Sequence, residues 1–169
     1  RLYGNAGIPK YSDVENLIPD AEWPGLIARY ADQYGLIAPH ISRIYDQNGE
    51  PSCVSNAFCQ AHEIIQAKIL GKDKVHHLSA INLYERVGSR SSGSSLDDNM
   101  DEMTSKGVLP LDNEANKKRF KHTAPANGYG KAHPSGWEET GKLFQNAEWA
   151  DVNGIKEFMT ALLKGHPVI

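Results

Sequence analysis

Cysteine is scarce in this chain of 169 residues, which has only Cys53 and Cys59. On one helix, a spacing of six residues places two thiols on different faces, too far apart for a disulfide. A secreted scaffold held by disulfides is therefore not expected, and a reducing compartment fits better. No group of Cys and His residues has the spacing of a structural zinc site. The adjacent His76 and His77 come nearest, but neighbours in sequence rarely face one metal, so we expect no metal and no other cofactor.

Long apolar runs and an excess of positive charge are also missing. No stretch is apolar enough over the length needed to span a bilayer, and no signal peptide is visible at the start. The net charge of -3 does not suggest non-specific binding to nucleic acid. With 40% hydrophobic and 23% charged residues, the composition is typical of a globular protein of one domain or two small lobes. We expect neither a membrane nor a nucleic acid as a partner.

The segment from Asp46 to Phe58 joins a turn-forming stretch to the start of an amphipathic helix. Cys53 lies at the junction, where unpaired backbone N–H groups and the positive end of the helix dipole favour a thiolate, the nucleophilic form. Gln47 stands before the turn, which allows its side-chain amide to fold back beside the sulfur. Nucleophile and oxyanion donor would then come from one short segment. The alternative is that Cys53 is a buried, inert thiol at a helix start.

Apolar residues at helical spacing predict helices over about residues 23–34, 53–70, 79–84, 96–105 and 154–164. The second of these should begin near Ser52 or Cys53 and end in a left-handed cap at Gly71. Ser79 is the expected N-cap of the third. The buried stripe of the second helix is expected to consist of Ala57, Phe58, Ala61, Ile64, Ile65 and Leu70.

Other stretches lack this periodicity. Residues 88–95 form a loop of small residues, which is either a flexible linker or the rim of a site. Residues 111–141 are polar and indicate irregular chain crossing a surface. We expect an extended piece from Leu143 and a β-strand over 166–169. A basic group in the polar stretch favours a solvated face over an anion site: Lys117, Lys118, Arg119, Lys121 and His122.

The approach to Cys53 resembles that of the papain-like cysteine peptidases. Gln47 matches the oxyanion-hole glutamine of that family, and Cys53, preceded by Ser52, matches its nucleophile. The usual Cys-Trp-Ala-Phe of the family is absent. The form Ser-Cys-x-x-Asn-Ala is instead closer to the family's bacterial and viral branch.

Later motifs follow in the family's order. Leu78-Ser79 resembles its Leu-Ser-x-x-x-Leu helix, and the stretch from Gly93 to Asp97 lies where the family carries a Gly-Gly loop and a residue of the S2 pocket. Residues 155–168 look like the helix and Pro-Val strand that begin the family's β-rich lobe. The resemblance covers about residues 42–169.

The resemblance implies an α+β, papain-like fold with a helical left lobe and the beginning of a β-rich right lobe, so that the chain covers the N-terminal part only. Residues 1–41 would be an N-terminal segment, 42–112 the helical lobe with the active-site helix, and 113–169 the crossover and start of the β-rich lobe. Gly93, Ser94 and Leu96 would contact substrate, although Ser94 replaces the second glycine of the family's loop.

No residue is assigned as the catalytic base. The family's histidine and asparagine lie beyond its Pro-Val strand, at positions that this chain does not have. His62 is expected on the same helix as Cys53, more than two turns on, and cannot reach back. His122 and His133 lie in the irregular stretch, but no spacing singles out either.

Two hypotheses follow. In the first, the chain is part of a thiol peptidase that cleaves a peptide or protein, and a C-terminal segment or second chain supplies the histidine. In the second, an inactive papain-like lobe serves as a structural or protein-binding module. The low cysteine count and the lack of a visible signal peptide favour the cytoplasm or a virus particle over the lysosome. Cys59 is expected to pack in the core.

Overall fold

Helices dominate the computed structural model, which describes residues 8–31, 36–47, 49–89, 92–112, 114–120, 136–146 and 148–169, with only the backbone of 118–120. The α-helices in these ranges are α1 (Tyr11–Val14), α2 (Trp23–Ala31), α3 (Cys53–Leu70), α4 (Ala80–Val87), α5 (Leu96–Ser105), α6 (Glu114–Phe120), α7 (Trp137–Gly141) and α8 (Gly154–Leu163). Short 3-10 helices cover Asp20–Glu22, Ala38–His40, Lys72–Lys74 and Lys142–Phe144. Within the described ranges, every helix is too short or too polar to traverse a bilayer.

Helix α3 is the longest element, and its two ends have local causes. At the start, the Asn56 side chain donates to the backbone oxygen and the hydroxyl of Ser52, the N-cap residue, at 2.8 and 2.9 Å. The 18 residues that follow contain neither proline nor glycine, so nothing interrupts the backbone ladder. Gly71 ends the helix with φ +94° and ψ 147°, a glycine-favouring conformation that differs from the left-handed helical cap expected.

One face of α3 packs against α4 and α5 to form the main core. Ser79 caps α4 by accepting a hydrogen bond from the Asn82 N–H, and Ser95 caps α5 in the same way through Asp98. Both caps fix where the chain turns back against α3. The buried apolar residues of this core are Phe58, Cys59, Leu78, Ala80, Leu83, Met103 and Val108.

A buried carboxylate fixes the segment that precedes α3. The Glu63 side chain is fully buried, and it accepts hydrogen bonds from the Leu78 backbone N–H at 2.7 Å and from the Tyr45 hydroxyl. The Arg43 guanidinium lies 2.9 Å from the same carboxylate. Burial alone would raise the pKa of Glu63, but the hydrogen bond from Tyr45, the charge of Arg43 and the Leu78 N–H outweigh it and lower that pKa. Glu63 is therefore held as an anion.

The two ends of the described chain pack together. The Tyr11 N–H donates to the Asp151 carbonyl at 2.7 Å, and the Ile18 N–H donates to the Thr160 hydroxyl at 3.1 Å. Lys164 pairs with Glu15 at 2.7 Å. The stretch before α2 therefore lies against α8 and the chain that leads into it.

The α+β, papain-like fold expected from the sequence is wrong. The described residues are 59% helical and contain no sheet, and their only strand-like pairings are isolated bridges such as Lys10 with Asp151. Residues 166–169, expected to open a β-strand, have no strand partner in the described chain, and their neighbours include α1 through the Tyr11–His166 contact. A strand needs a ladder partner for its backbone groups, and none lies beside this segment in the described ranges.

Several local expectations are also corrected. Two helices, α6 and α7, lie within residues 111–141, which were expected to be irregular. Leu143 and Phe144 belong to a 3-10 helix rather than an extended piece. Ile65 and Leu70, expected in the buried stripe, are 40% and 47% exposed, because α4 and α5 cover only one side of α3. The bounds expected for α3 and α5 are confirmed.

Replacing the buried carboxylate should destabilise the fold strongly. Glu63→Gln keeps the shape of the side chain but leaves the Arg43 guanidinium without its anion, which we expect to cost about 3 kcal/mol in the free energy of unfolding. Urea denaturation followed by circular dichroism measures this difference. The control is Glu114→Gln, because the Glu114 side chain is 90% exposed and pairs with Lys117 at the surface. Equal midpoints for both variants would contradict the structural role of Glu63.

The same comparison has a defined pH dependence. Because the pKa of Glu63 is lowered on folding, its contribution is complete above the unfolded pKa of about 4.3 and is lost as the pH falls through the folded value. We expect the stability difference between the wild type and Glu63→Gln to be constant between about pH 5 and 7 and to shrink below about pH 4. A difference that widens on acidification would show instead that folding raises this pKa.

Candidate active site

Cys53 is exposed at the first position of α3. Helix geometry leaves the N–H groups of Cys53, Val54 and Ser55 without an intrahelical acceptor, since the first helical bond runs from the Asn56 N–H to the Ser52 carbonyl at 3.0 Å. The Ser52 hydroxyl caps none of them and is used by Asn56 instead. The thiol is thus exposed at the start of the helix, so the expectation that Cys53 is buried is wrong.

Gln47 lies before the turn that leads into α3. Its carbonyl accepts a hydrogen bond from the Glu50 N–H at 3.0 Å, which closes the turn, and the Ser52 N–H then donates to the Glu50 carbonyl at 2.7 Å. The Gln47 side chain is half-buried. The backbone path is therefore compact between Gln47 and Cys53, but no recorded contact joins the two side chains.

The loop after α4 packs beside the start of α3. Gly93 has φ +72°, and a Cβ added there would come within 3.0 Å of the Pro51 carbonyl oxygen. Its N–H and carbonyl pair with the backbone of Ser89. Ser94 is half-buried, whereas Leu96, the first residue of α5, is 50% exposed. The structure thus brings Gly93 next to the residues before Cys53 and leaves an apolar side chain in solvent on the neighbouring helix.

A buried asparagine that sequence reasoning missed connects this loop to α3. Asn99 is fully buried, and its Oδ1 accepts a hydrogen bond from the Ser55 hydroxyl at 2.6 Å. Its Nδ2 donates to the Ser94 hydroxyl at 2.8 Å and to the Ser95 carbonyl at 2.7 Å. The sequence gives one indication of this role: Asn99 is a polar residue on the face of α5 expected to be apolar, which also carries Leu96, Met100 and Met103.

Three of the described histidines have partners in or along α3, well beyond Cys53. His62 is about 13 Å further along the helix axis by helix rise. His77 lies 3.2 Å from Glu63, and the His76 N–H donates to the Gln66 side chain. His166 instead contacts the Tyr11 hydroxyl, at 2.8 Å from its Nδ1.

None of these contacts joins a described histidine to Cys53. His122 and His133, the two that sequence reasoning left open, lie outside the described residues, as do Lys121 and the side chains of Lys118 and Arg119. The described residues contain no group of three or more His, Cys, Asp or Glu side chains placed to bind a metal ion.

His62 and Asn146 form a separate, partly buried pair. The His62 Nδ1 and the Asn146 Oδ1 are 2.5 Å apart. Burial lowers the pKa of His62, and the hydrogen bond with Asn146 opposes this only in part. The pair links α3 to the chain before α8.

A cavity among the described residues is distinct from the Cys53 region. It has a volume of about 780 Å³, and its α3 wall consists of Ala61, Ile65, Lys68 and Ile69, from the middle of the helix onward. At its polar end, the Tyr11 hydroxyl lies 2.8 Å from the His166 Nδ1. Most of the other lining side chains are apolar, and neither Cys53 nor residues 93–96 contribute.

The two cysteines should differ sharply in reactivity. Cys59 is fully buried, and burial raises the pKa of its thiol well above the ordinary value, so that both access and ionisation are suppressed. We expect iodoacetamide to alkylate Cys53 in the folded protein and to leave Cys59 intact, as read by mass spectrometry of peptides. Cys53→Ser should abolish labelling of the folded protein, and urea should expose Cys59. Equal labelling of the two thiols in the native state would refute this arrangement.

The chain was compared with protein-family models, with curated proteins and with solved structures, and no match was found.

Proposed function

We propose that this protein is a thiol peptidase that hydrolyses peptide bonds through Cys53. The observation that carries the proposal is the exposed Cys53 thiol at the first turn of a helix whose core face is otherwise buried. A thiol in that place is accessible to a large substrate and adjoins backbone N–H donors that no cap side chain occupies. The resemblance of residues 46–58 to the papain-like approach supports the same chemistry.

In the proposed reaction, the Cys53 thiolate attacks the carbonyl carbon of the scissile peptide bond. A C–S bond forms, and the carbonyl oxygen takes the negative charge in a tetrahedral intermediate, where the Cys53 N–H and the Gln47 amide donate to it. The C–N bond then breaks, and the proton taken from the thiol passes through the base to the leaving amine. Water hydrolyses the thioester, which returns the thiol and releases a carboxylic acid.

The base of this reaction comes from outside the described residues. His62 lies about 13 Å along α3 from Cys53 by the rise of the helix, and His77 and His76 contact residues still further along it. The remaining sources are His122, His133, a C-terminal segment or a second chain. A thiol without a base is only weakly activated at neutral pH, so the source of the histidine decides whether the chain acts alone.

The substrate lies against the loop that ends at α5. Because the Gly93 backbone is paired with Ser89, Gly93 shapes the loop, and the contacts to substrate fall to the Ser94 backbone and the exposed Leu96 side chain. An exposed leucine at the end of this loop suits an apolar side chain of the substrate.

The second candidate is a protein-binding module without catalysis, and the apolar cavity favours it. Val14, Ile69 and Ile169 line the cavity and are 57%, 75% and 42% exposed. Neighbouring apolar side chains in solvent are typical of surfaces that bind another polypeptide. The two functions are separable, because Cys53 is not part of this surface.

Substitution of the proposed nucleophile and of the proposed oxyanion donor should lower the rate of peptide cleavage to different extents. In the protein expressed from its full open reading frame, we expect Cys53→Ala to abolish cleavage of a fluorogenic peptide library. Gln47→Ala should lower kcat about 10²–10³-fold, because one oxyanion donor is lost. Ile69→Ser is the control, since Ile69 lies in the cavity away from the thiol. Cleavage that survives Cys53→Ala would show that Cys53 is not the nucleophile, whereas a wild type that cleaves no peptide would favour the binding module.

The base is found in the same assay. His122→Ala and His133→Ala are compared with His76→Ala, which removes a half-exposed imidazole paired with Asp112, away from Cys53. Loss of cleavage in one of the first two variants alone identifies the base. Full activity in both places the histidine in a C-terminal segment or on a second chain.

A further inference from the structure

We propose that Asn99 is a positioning residue that holds the loop at 93–95 in register with the Cys53 thiol. This inference rests on the proposed peptidase function, and it concerns a residue that touches neither the thiol nor the proposed substrate directly. Asn99 is fully buried on α5 and contacts both the helix that carries Cys53 and the loop that faces substrate.

The amide of Asn99 has one allowed orientation. The Ser95 carbonyl can only accept hydrogen bonds, so the atom that lies 2.7 Å from it must be the NH₂ group. The carbonyl oxygen of the amide therefore faces the Ser55 hydroxyl, which donates to it. One rigid group thus bonds α3 on one side and the loop on the other, and it has no water-exposed alternative because it is fully buried.

Both contacts involve residues of the proposed site. Ser55 is in the same first turn of α3 as Cys53, and Ser94 is a residue expected to contact substrate. A second contact supports the same register, because Gly93 lies against the Pro51 carbonyl, just before Cys53. Loss of Asn99 would remove the hydrogen bonds to Ser55, Ser94 and Ser95 and leave this packing contact.

Loss of the link should misplace the substrate rather than the thiol. Cys53 stays on α3, whose position depends on its own core contacts, whereas the loop loses two donors that hold it. A displacement of about 1 Å between a bound substrate and its nucleophile is enough to lower reactivity markedly. A reagent that needs no binding site should not sense the change.

Two reagents test this on the full protein. Iodoacetamide reports the reactivity of Cys53 alone, and a peptidyl vinyl sulfone reports binding through its inhibition constant KI and reaction through kinact. We expect Asn99→Ala to raise KI about tenfold, the loss of roughly one buried hydrogen bond, and to leave the iodoacetamide rate within about twofold. The matched control is Asn82→Ala, because Asn82 is also fully buried and helical but accepts from the Leu109 N–H, away from the loop.

The outcomes separate this role from the function on which it rests. An equal rise of KI in Asn99→Ala and Asn82→Ala, or slowing of both reagents alike, overturns the positioning role. A wild type that reacts no faster with the peptidyl reagent than with a non-peptidyl vinyl sulfone overturns the peptidase function and this role together. If Asn99→Ala does not fold, Ser94→Ala removes one of the same bonds at a half-buried hydroxyl and must raise KI by itself.

Discussion

The buried carboxylate of Glu63 is the constraint on which the arrangement around α3 depends. In the absence of a sheet among the described residues, backbone ladders cannot align the segment before α3 with the chain that enters α4. Glu63 does so instead, because Arg43 and Tyr45 reach it from one segment and the Leu78 N–H from the other. The same anchoring fixes where the chain leaves for Gln47 and hence how the turn approaches Cys53. The N-terminal end of α3, which carries Cys53, is thus positioned by Glu63 in the middle of the helix.

Local signals explain how much of the fold was predictable. The bounds of α3 and α5 followed from Gly71, from uninterrupted helix formers and from a run of apolar residues, and Ser79 identified the start of α4. The short helices α6 and α7 were not predicted, because a few turns rich in Lys or Glu carry little apolar periodicity. The β-rich lobe was an inference from family order alone. Nothing local in residues 166–169 distinguishes a strand from extended chain that packs on another element.

At the site, the sequence was sufficient to predict the placement of residues that are close together along the chain. An exposed Cys53 at a helix start needed only the turn and the helix that follows it. Glu63 and Asn99 were not found, because their partners lie far away in sequence and a buried polar side chain looks like a solvated one until those partners are known. No base could be assigned to Cys53 from the sequence for the same reason, because such an assignment depends on how distant parts of the chain return to the start of α3.

The packing of Gly93 against Pro51 also limits how such a chain can vary. A residue other than glycine at 93 would have to adopt a φ of +72° and would also push a Cβ against a backbone oxygen. A substitution at position 51 alone could not relieve this close contact, since the opposing atom belongs to the main chain. Diversity in the loop would therefore arise by insertion or substitution nearer its tip, while the residue at its base stays the same.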